Sequence, residues 1–239
     1  MFLYTNFGRF KLFKFDLNFV IDIGAHTGSF SNNLKKLFPD CEFVLFEPNK
    51  YCHQFIEDKK FRVFDWLLYK EKDVQLNFYF DKLNNTSTGR SIYIENTNHF
   101  ESENFEIINS KILDDFKSPN IIDLIKLDVQ GAEIDILLGG LKTLNKTKYL
   151  LLETSLIQYN QDAPLEKEVT SFLKRFGFKN YIVFDKHIWN SDNINKINLN
   201  KGKVFQRDLL FMNNKNNFFE KIRFNLLILY KNKGLVNNK

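Results

Sequence analysis

The stretch FVIDIGAHTGSF, which runs from Phe19 to Phe30, decides the fold class of this chain. Its first five residues have the pattern of a buried strand, and glycines at positions 24 and 28 mark a tight turn into a helix. In a parallel α/β sheet such a turn lies at the carboxyl edge, where small ligands bind. The stretch therefore predicts a ligand site with three alternatives: a dinucleotide, a nucleotide phosphate, or a ligand without phosphate.

The rest of the chain alternates between strand-like and helix-like segments. Strands are predicted at 19–23, 42–46, 61–64, 121–129, 148–153, 181–184 and 207–212, with an additional strand at 74–80. Helices are predicted at 29–38, 50–58, 131–140 and 164–178. This alternation predicts an α/β fold with a mostly parallel sheet of about seven strands and helices on both faces. We expect one domain over 19–212, a lead-in over 1–18 and a basic amphipathic helix or tail over 213–239.

The net charge of +5 is concentrated at the C-terminus, where the residues from Lys215 onward include six basic side chains and one acid. The remaining body is balanced, whereas a protein that grips nucleic acid is expected to have a basic body. We therefore expect no nucleic-acid partner. Two cysteines, Cys41 and Cys52, have no metal-ligand spacing and are predicted to be buried free thiols. With no signal-peptide pattern or membrane-span pattern, the expected location is cytoplasmic.

The spacing of the glycine turn favours a ligand without phosphate. The pattern is D-x-G-x-x-x-G, with His26 where a dinucleotide motif has its second glycine, and the Gly-Lys-Ser/Thr of a phosphate loop is absent. Asp22 beside the turn suits a cationic ligand, and Glu47 ends the second strand, where a carboxylate can accept hydrogen bonds from ribose hydroxyls. Both acids fit S-adenosylmethionine. The alternative is a glycine turn that only packs the helix on the strand.

A second run, IKLDVQGAEIDILLGG, is more specific. Lys126 and Asp128 reach the carboxyl edge at the end of an apolar strand, where buried charges must pair or take part in chemistry. Gly131 allows a sharp turn into a helix. Glu133 falls in the first turn of that helix, where the helix dipole also favours an acid, so a structural and a functional role remain open.

The segments FVIDIGAHTG, FVLFEPN, IDLIKLDVQGAEIDILLGG, LLLETS and QRDLLFM together resemble the FkbM family of S-adenosylmethionine-dependent methyltransferases, over about residues 19–212. The resemblance implies a Rossmann-like class I methyltransferase fold with an antiparallel last strand. It also implies O-methylation of a hydroxyl on a sugar, glycan or polyketide-like acceptor. The cofactor-binding residues expected from this resemblance are Asp22, Gly24, Ala25, His26, Gly28, Glu47 and Asp128. The family commonly has Asn at the position of His26, which leaves the role of this side chain open.

The reaction side of the site is expected to contain Lys126, Asp128 and Glu153 as catalytic residues, with Glu133 and His187 facing the acceptor. Asp128 is the first candidate for the general base and Glu153 the second. Lys126 is expected to orient Asp128 or to bind the acceptor. Metal-assisted deprotonation stays open as an alternative, but no tight ligand cluster is visible in the sequence, so no metal is predicted.

Two other functions compete with methyl transfer. An NAD-dependent oxidoreductase is disfavoured by the glycine spacing. A catalytically silent methyltransferase-like fold could serve as a partner-binding or membrane-binding module. The tail bears on this choice, because its apolar positions form one helical stripe at Phe218, Phe219, Ile222, Leu226 and Leu229. The stripe is expected to pack on its own domain, lie on a membrane surface or form a dimer contact. The oligomeric state and the identity of the acceptor are not predicted.

Overall fold

The computed structural model describes residues 8–97, 100–190 and 200–232, with side chains up to 229. Within these residues the strands are Phe19–Ile23 (β1), Glu42–Phe46 (β2), Arg62–Phe64 (β3), Gln75–Tyr79 (β4), Phe105–Asn109 (β5), Ile122–Leu127 (β6), Thr147–Ser155 (β7), Asn180–Ile188 (β8) and Val204–Met212 (β9). The α-helices of the same residues are Gly8–Leu12 (α1), Ser29–Leu37 (α2), Lys50–His53 (α3), Glu133–Leu138 (α4), Leu141–Asn145 (α5), Glu166–Arg175 (α6) and Phe218–Asn232 (α7).

The main sheet has the strand order β3-β2-β1-β6-β7-β9-β8. Strands β3, β2, β1, β6 and β7 are parallel to one another, whereas β9 is antiparallel to both β7 and β8. The first residues of β9 therefore lie at the same edge as the last residues of β7 and β8. This architecture confirms the predicted Rossmann-like, mostly parallel seven-stranded sheet with an antiparallel last strand.

Apolar side chains on both faces of the sheet form the core. One cluster joins Ile21 and Ile125 to residues of α4 and α6, and the other joins Leu124 and Leu210 to residues of α1, α2 and α7. Burial of strands on both sides explains why their sequences are continuous apolar runs rather than alternating patterns. The predicted helices on both faces are thereby confirmed.

Several local predictions differ from the structure, and α5 was not predicted. The additional strand over 74–80 forms as β4, but it pairs only with β5 in a separate two-stranded sheet. Strand β5 was not predicted, because four of its five residues are exposed and its sequence carries no clear buried face. The helix predicted over 50–58 is too long, since α3 ends at His53. At this end of α3, the ring Nε2 of His53 lies 2.7 Å from the carbonyl oxygen of Glu47.

The C-terminal helix α7 packs on its own domain, but not by the predicted stripe. Phe224 and Leu227 are buried in the core, with 0% and 1% exposure. The predicted stripe stays exposed, from 40% to 71%, at Phe218, Phe219, Ile222, Leu226 and Leu229. The basic residues Lys233 and Lys239, like residues 1–7 of the predicted lead-in, lie outside the described residues.

Both cysteines are free and buried, as predicted. In the portion of the chain that the structure describes, no helix is both long enough and apolar enough to cross a membrane.

Candidate active site

The turn after β1 is fixed by contacts between backbone segments. The N–H groups of Gly24 and Ala25 donate to the carbonyl oxygen of Phe46 at the end of β2. Gly24 has a φ of +72°, and a Cβ built on it would lie 1.9 Å from the carbonyl oxygen of Asp128. The glycine is therefore required by the close passage of the chain after β6, which the sequence pattern alone had not indicated.

His26 occupies a left-handed backbone position with a φ of 51°. Histidine, asparagine and aspartate are the non-glycine residues that most often adopt this conformation. Its backbone N–H donates to Glu47 Oε2 at 2.7 Å, and its ring Nε2 lies 2.8 Å from the carbonyl oxygen of Thr86. His26 thus joins the turn to the loop that contains Thr86.

Glu47 holds the turn from the end of β2. Its Oε1 accepts from the N–H of Asn49 at 2.8 Å, while Oε2 accepts from His26. Burial raises the pKa of Glu47, and the two N–H donors oppose that shift. Because each carboxylate oxygen has two lone pairs, Glu47 can still accept hydrogen bonds from the hydroxyl groups of a ligand.

Lys126 is the centre of a buried charge network under the turn. Its Nζ lies 3.4 Å from Asp22 Oδ1, 3.2 Å from Asp128 Oδ2 and 3.1 Å from the carbonyl oxygen of Gly24. Burial alone would lower the pKa of Lys126, but the charges of Asp128 and Asp22 outweigh it and raise that pKa. Burial would likewise raise the pKa of Asp128, yet Lys126 dominates and lowers it.

Three predicted site residues do not line the cavity. Asp22 is fully buried, and its Oδ2 accepts from the hydroxyl of Ser31 at 2.7 Å. Gly28 faces Ile56 from a left-handed position with a φ of +75°. Glu133 is 3% exposed and accepts from the N–H of Gly131 at 3.2 Å; burial raises its pKa to about 7. These residues hold the turns in place from beneath.

On the other side of the cavity, strands β7, β8 and β9 bring together Glu153, His187 and Asp208. The Nε2 of His187 lies 3.0 Å from Asp208 Oδ1 and 3.5 Å from Glu153 Oε1. The hydrogen bond to Asp208 is the main cause of a raised pKa at His187. Burial, followed by the charges of Asp128 and Asp208, raises the pKa of Glu153 well above its usual range.

One cavity of about 600 Å³ spans both groups, a volume ordinary for a small-molecule site. The predicted residues that line it are Gly24, Ala25, His26, Glu47, Lys126, Asp128, Glu153 and His187. Among the described residues that line the cavity, five are acidic and two are permanent cations. The acids are Glu47, Glu95, Asp128, Glu153 and Asp208, and the cations are Arg90 and Lys126. The cavity is therefore suited to a cationic ligand and unsuited to a polyphosphate.

Among the lining residues that the sequence analysis did not name, Gln130, Gln206 and Asp208 contact the predicted site residues. Gln130 Nε2 bridges the two halves, since it donates to Asp128 Oδ1 at 3.1 Å and to Glu153 Oε2 at 2.7 Å. A signal for Asp208 was present: if the last strand is antiparallel, the polar QRD preceding its apolar run must lie at the ligand edge.

Comparison with solved structures gives many similar folds, including the following two. A precorrin-6y C5,15-methyltransferase from Geobacter metallireducens GS-15 is 13% identical, with a TM-score of 0.45 over 87% of this chain and 85% of that chain. The N-terminal domain of EvdMO1, determined in the presence of SAH and D-fucose, is 7% identical, with a TM-score of 0.49 over 89% of this chain and 82% of that chain.

Comparison of sequences gives a curated relative and a family. The 2-O-methyltransferase NoeI of Sinorhizobium fredii (strain NBRC 101917 / NGR234) is 26% identical over 155 residues, which are 57% of this chain. The alignment spans 63% of the length of that relative. Residues 22–179 match the Methyltransferase FkbM domain, and the match covers the glycine turn, Glu47, the β6 turn and Glu153. The chain belongs to the FkbM methyltransferase family.

Proposed function

We propose that this chain is an S-adenosylmethionine-dependent O-methyltransferase that acts on a hydroxyl of a sugar, glycan or polyketide-like acceptor. The observation that carries the proposal is the single acid-rich cavity that joins the glycine turn and Glu47 to the cluster at the ends of β7 to β9. Family membership supports methyl transfer, and the name of the 2-O-methyltransferase relative favours oxygen as the acceptor atom.

The β1–β2 side of the cavity fits the cofactor. S-adenosylmethionine supplies a methyl group on a positively charged sulfur, so that the acceptor oxygen bonds to carbon while the carbon–sulfur electron pair stays on sulfur. Glu47 offers hydrogen-bond acceptors for ribose hydroxyls, and the surplus of carboxylates favours a cation. The backbone of residues 24–26, which Glu47 and Phe46 hold in place, forms the floor of this half.

The β7–β9 side fits the acceptor. Asp128 is held by Lys126 and Gln130, and a carboxylate with a lowered pKa is a weak base. We therefore assign Asp128 and Lys126 to positioning across the middle of the cavity. Glu153 and His187 then face the acceptor, where its proton must leave. Tyr159 and Phe205 line the same side and offer apolar surface to an acceptor.

Calorimetry with S-adenosylhomocysteine and NAD tests the cofactor assignment. Wild-type protein is expected to bind the homocysteine adduct at micromolar concentration and to give no NAD signal. Glu47→Ala should weaken binding, whereas Glu57→Ala removes an exposed glutamate outside the cavity and should not. If NAD binds and the adduct does not, the proposal is wrong.

A screen of hydroxyl acceptors with methyl-labelled cofactor tests the reaction. Label is expected to appear as a methyl ether on sugar or polyketide-like hydroxyls. Glu153→Ala, which removes a group on the acceptor side, should reduce transfer more than it reduces adduct binding. Adduct binding without transfer to any hydroxyl would favour the silent binding module.

The exposed stripe of α7 supports a second candidate role, contact with an anionic membrane surface. Its phenylalanines Phe218 and Phe219 are 71% and 70% exposed beside Lys221 and Arg223. Deleting the tail would also remove Phe224 from the core, so we would replace both exposed phenylalanines with serine. Sedimentation with phosphatidylglycerol vesicles should fall in this variant and persist in Leu83→Ser, which changes a 94% exposed leucine elsewhere. Unchanged sedimentation in the phenylalanine variant would refute this role.

A further inference from the structure

We propose that Glu153, His187 and Asp208 bind one divalent transition-metal ion, such as Mn²⁺, on the acceptor side of the cavity. The site itself rests on the positions of these three side chains, and the chemical role given to the ion rests on the proposed O-methylation. Among the described residues, these three offer ligand atoms that all lie within 4.8 Å of one another.

Strand pairing makes the three side chains converge. Glu153 of β7 lies opposite Asp208 of β9, so the two carboxylates share one face of the sheet. Asp208 also lies opposite Asp185 of β8, and His187 follows two residues later on the same face. The ligands therefore come from three neighbouring strands, which hold a site more rigidly than loops do.

The spacing of the ligand atoms fits a metal ion. At ordinary bond lengths, neighbouring ligand atoms lie about 3.0 Å apart around an octahedral ion and about 3.4 Å apart around a tetrahedral one. The distances from His187 Nε2 are 3.0 Å to Asp208 Oδ1 and 3.5 Å to Glu153 Oε1. Nε2 can act as a ligand when the ring proton is on Nδ1.

Glu153 is also oriented as a metal ligand requires. Its Oε2 accepts from Gln130 Nε2 at 2.7 Å and from Gln206 Nε2 at 3.1 Å, which leaves Oε1 on the side of His187. Supporting hydrogen bonds of this kind are a regular feature of metal sites. Three protein ligands leave further coordination positions open, and all three residues line the cavity.

The ligand set indicates the kind of ion and its use. One imidazole with two carboxylates suits Mn²⁺ or Zn²⁺ better than Mg²⁺ or Ca²⁺, which prefer oxygen alone. A divalent ion lowers the pKa of a hydroxyl bound to it, so the hydroxyl loses its proton to solvent more readily. At this position the ion would recruit and activate the acceptor, through ligands that the sequence analysis had not brought together.

Electron paramagnetic resonance tests the site on the full chain, because free Mn²⁺ gives a six-line signal that weakens on binding. After treatment with a chelator and its removal, wild-type protein is expected to bind one equivalent of Mn²⁺. Asp208→Asn should weaken Mn²⁺ binding at least about tenfold, because loss of a residue that only hydrogen-bonds to a metal ligand already has an effect of that size. Asp162→Asn removes the same charge from an exposed loop outside the cavity and should bind as wild type.

Circular dichroism checks that each variant is folded, and His187→Gln is the second ligand variant if Asp208→Asn is not. Equal Mn²⁺ binding by wild type and a folded ligand variant would overturn the proposal, as would absence of binding at millimolar Mn²⁺. Calorimetry with S-adenosylhomocysteine on the same samples separates this result from the proposed function. If wild-type protein binds Mn²⁺ in a way that depends on Asp208 but does not bind S-adenosylhomocysteine, the result would count against methyl transfer and support the metal site.

Discussion

The two sides of the cavity differ in how their charges are balanced. On the cofactor side, which the ends of β1, β2 and β6 form, Lys126 lies between Asp22 and Asp128, and the oxygens of Glu47 accept hydrogen bonds from backbone N–H groups. On the β7–β9 side, two carboxylates share one histidine. On the first side each acid is paired with Lys126 or with backbone N–H groups, whereas on the second side two carboxylates have one histidine between them. This difference indicates that the charges of the first side hold the chain around the cofactor half of the cavity, whereas those of the second side depend more on what binds there.

The largest effect is expected from Lys126→Met. Asp22 has no exposure, so removing its cation leaves a buried charge, a change that typically costs about 3–5 kcal/mol in the free energy of unfolding. Urea denaturation measures this loss. The matched control is Lys111→Met, which breaks an exposed pair with Asp73 and should cost less than about 1 kcal/mol. Equal losses in the two variants would show that the buried network around Lys126 stabilises the fold no more than an exposed ion pair does.

Gly24→Ala is expected to cost at least about 3 kcal/mol, because the new Cβ would overlap the carbonyl oxygen of Asp128. Gly28 has the same left-handed conformation, but the nearest atom to its Cβ is a side-chain carbon of Ile56 at 3.4 Å. Gly28→Ala should therefore cost only the conformational term, about 1–2 kcal/mol. Chemical denaturation of the two variants separates the free-energy cost of the steric overlap from the cost of the left-handed backbone conformation. A larger loss at position 28 would contradict the assignment.

Glu133 is expected to make stability depend on pH. Its pKa is about 7 in the folded state against 4.5 for the free side chain, so the folded protein binds more protons between these values. Stability should then fall as pH rises from about 4.5 to about 7, by roughly 3 kcal/mol at most. Glu133→Gln should flatten this part of the profile, measured as unfolding free energy in urea at several pH values. An unchanged profile would show that Glu133 does not titrate in this range.

The smallest effect is expected from Glu153→Gln in the presence of a chelator. Burial and the charges of Asp128, Asp208 and Glu133 all oppose a charge at Glu153, so a neutral glutamine there should leave the melting temperature unchanged or raise it. Residues kept for function often cost stability in this way. A clear fall in melting temperature would show that the acids of the β7–β9 side are as well paired as those of the cofactor side.

The predictions from sequence succeeded where the information is local. The turn from Phe19 to Phe30 and the strand that ends at Asp128 were found because apolar periodicity and glycine spacing are properties of short segments. The roles of individual residues were less accessible. Asp22, Gly28 and Glu133 were expected to touch ligands, yet the structure places them beneath the cavity, and their contacts come from Lys126, Ile56 and Gly131.

Local sequence patterns were sufficient to predict the strands of the main sheet, the ligand edge and the family, because each depends on segments of about ten residues. Which side chains come into contact depends instead on how distant segments pair and pack. Asp208 joins Glu153 and His187 because β9 runs antiparallel between β7 and β8 in one particular register. A shift by one residue would turn Asp208 to the opposite face of the sheet. Strand direction and register depend on packing between segments far apart in the chain, which no local pattern encodes.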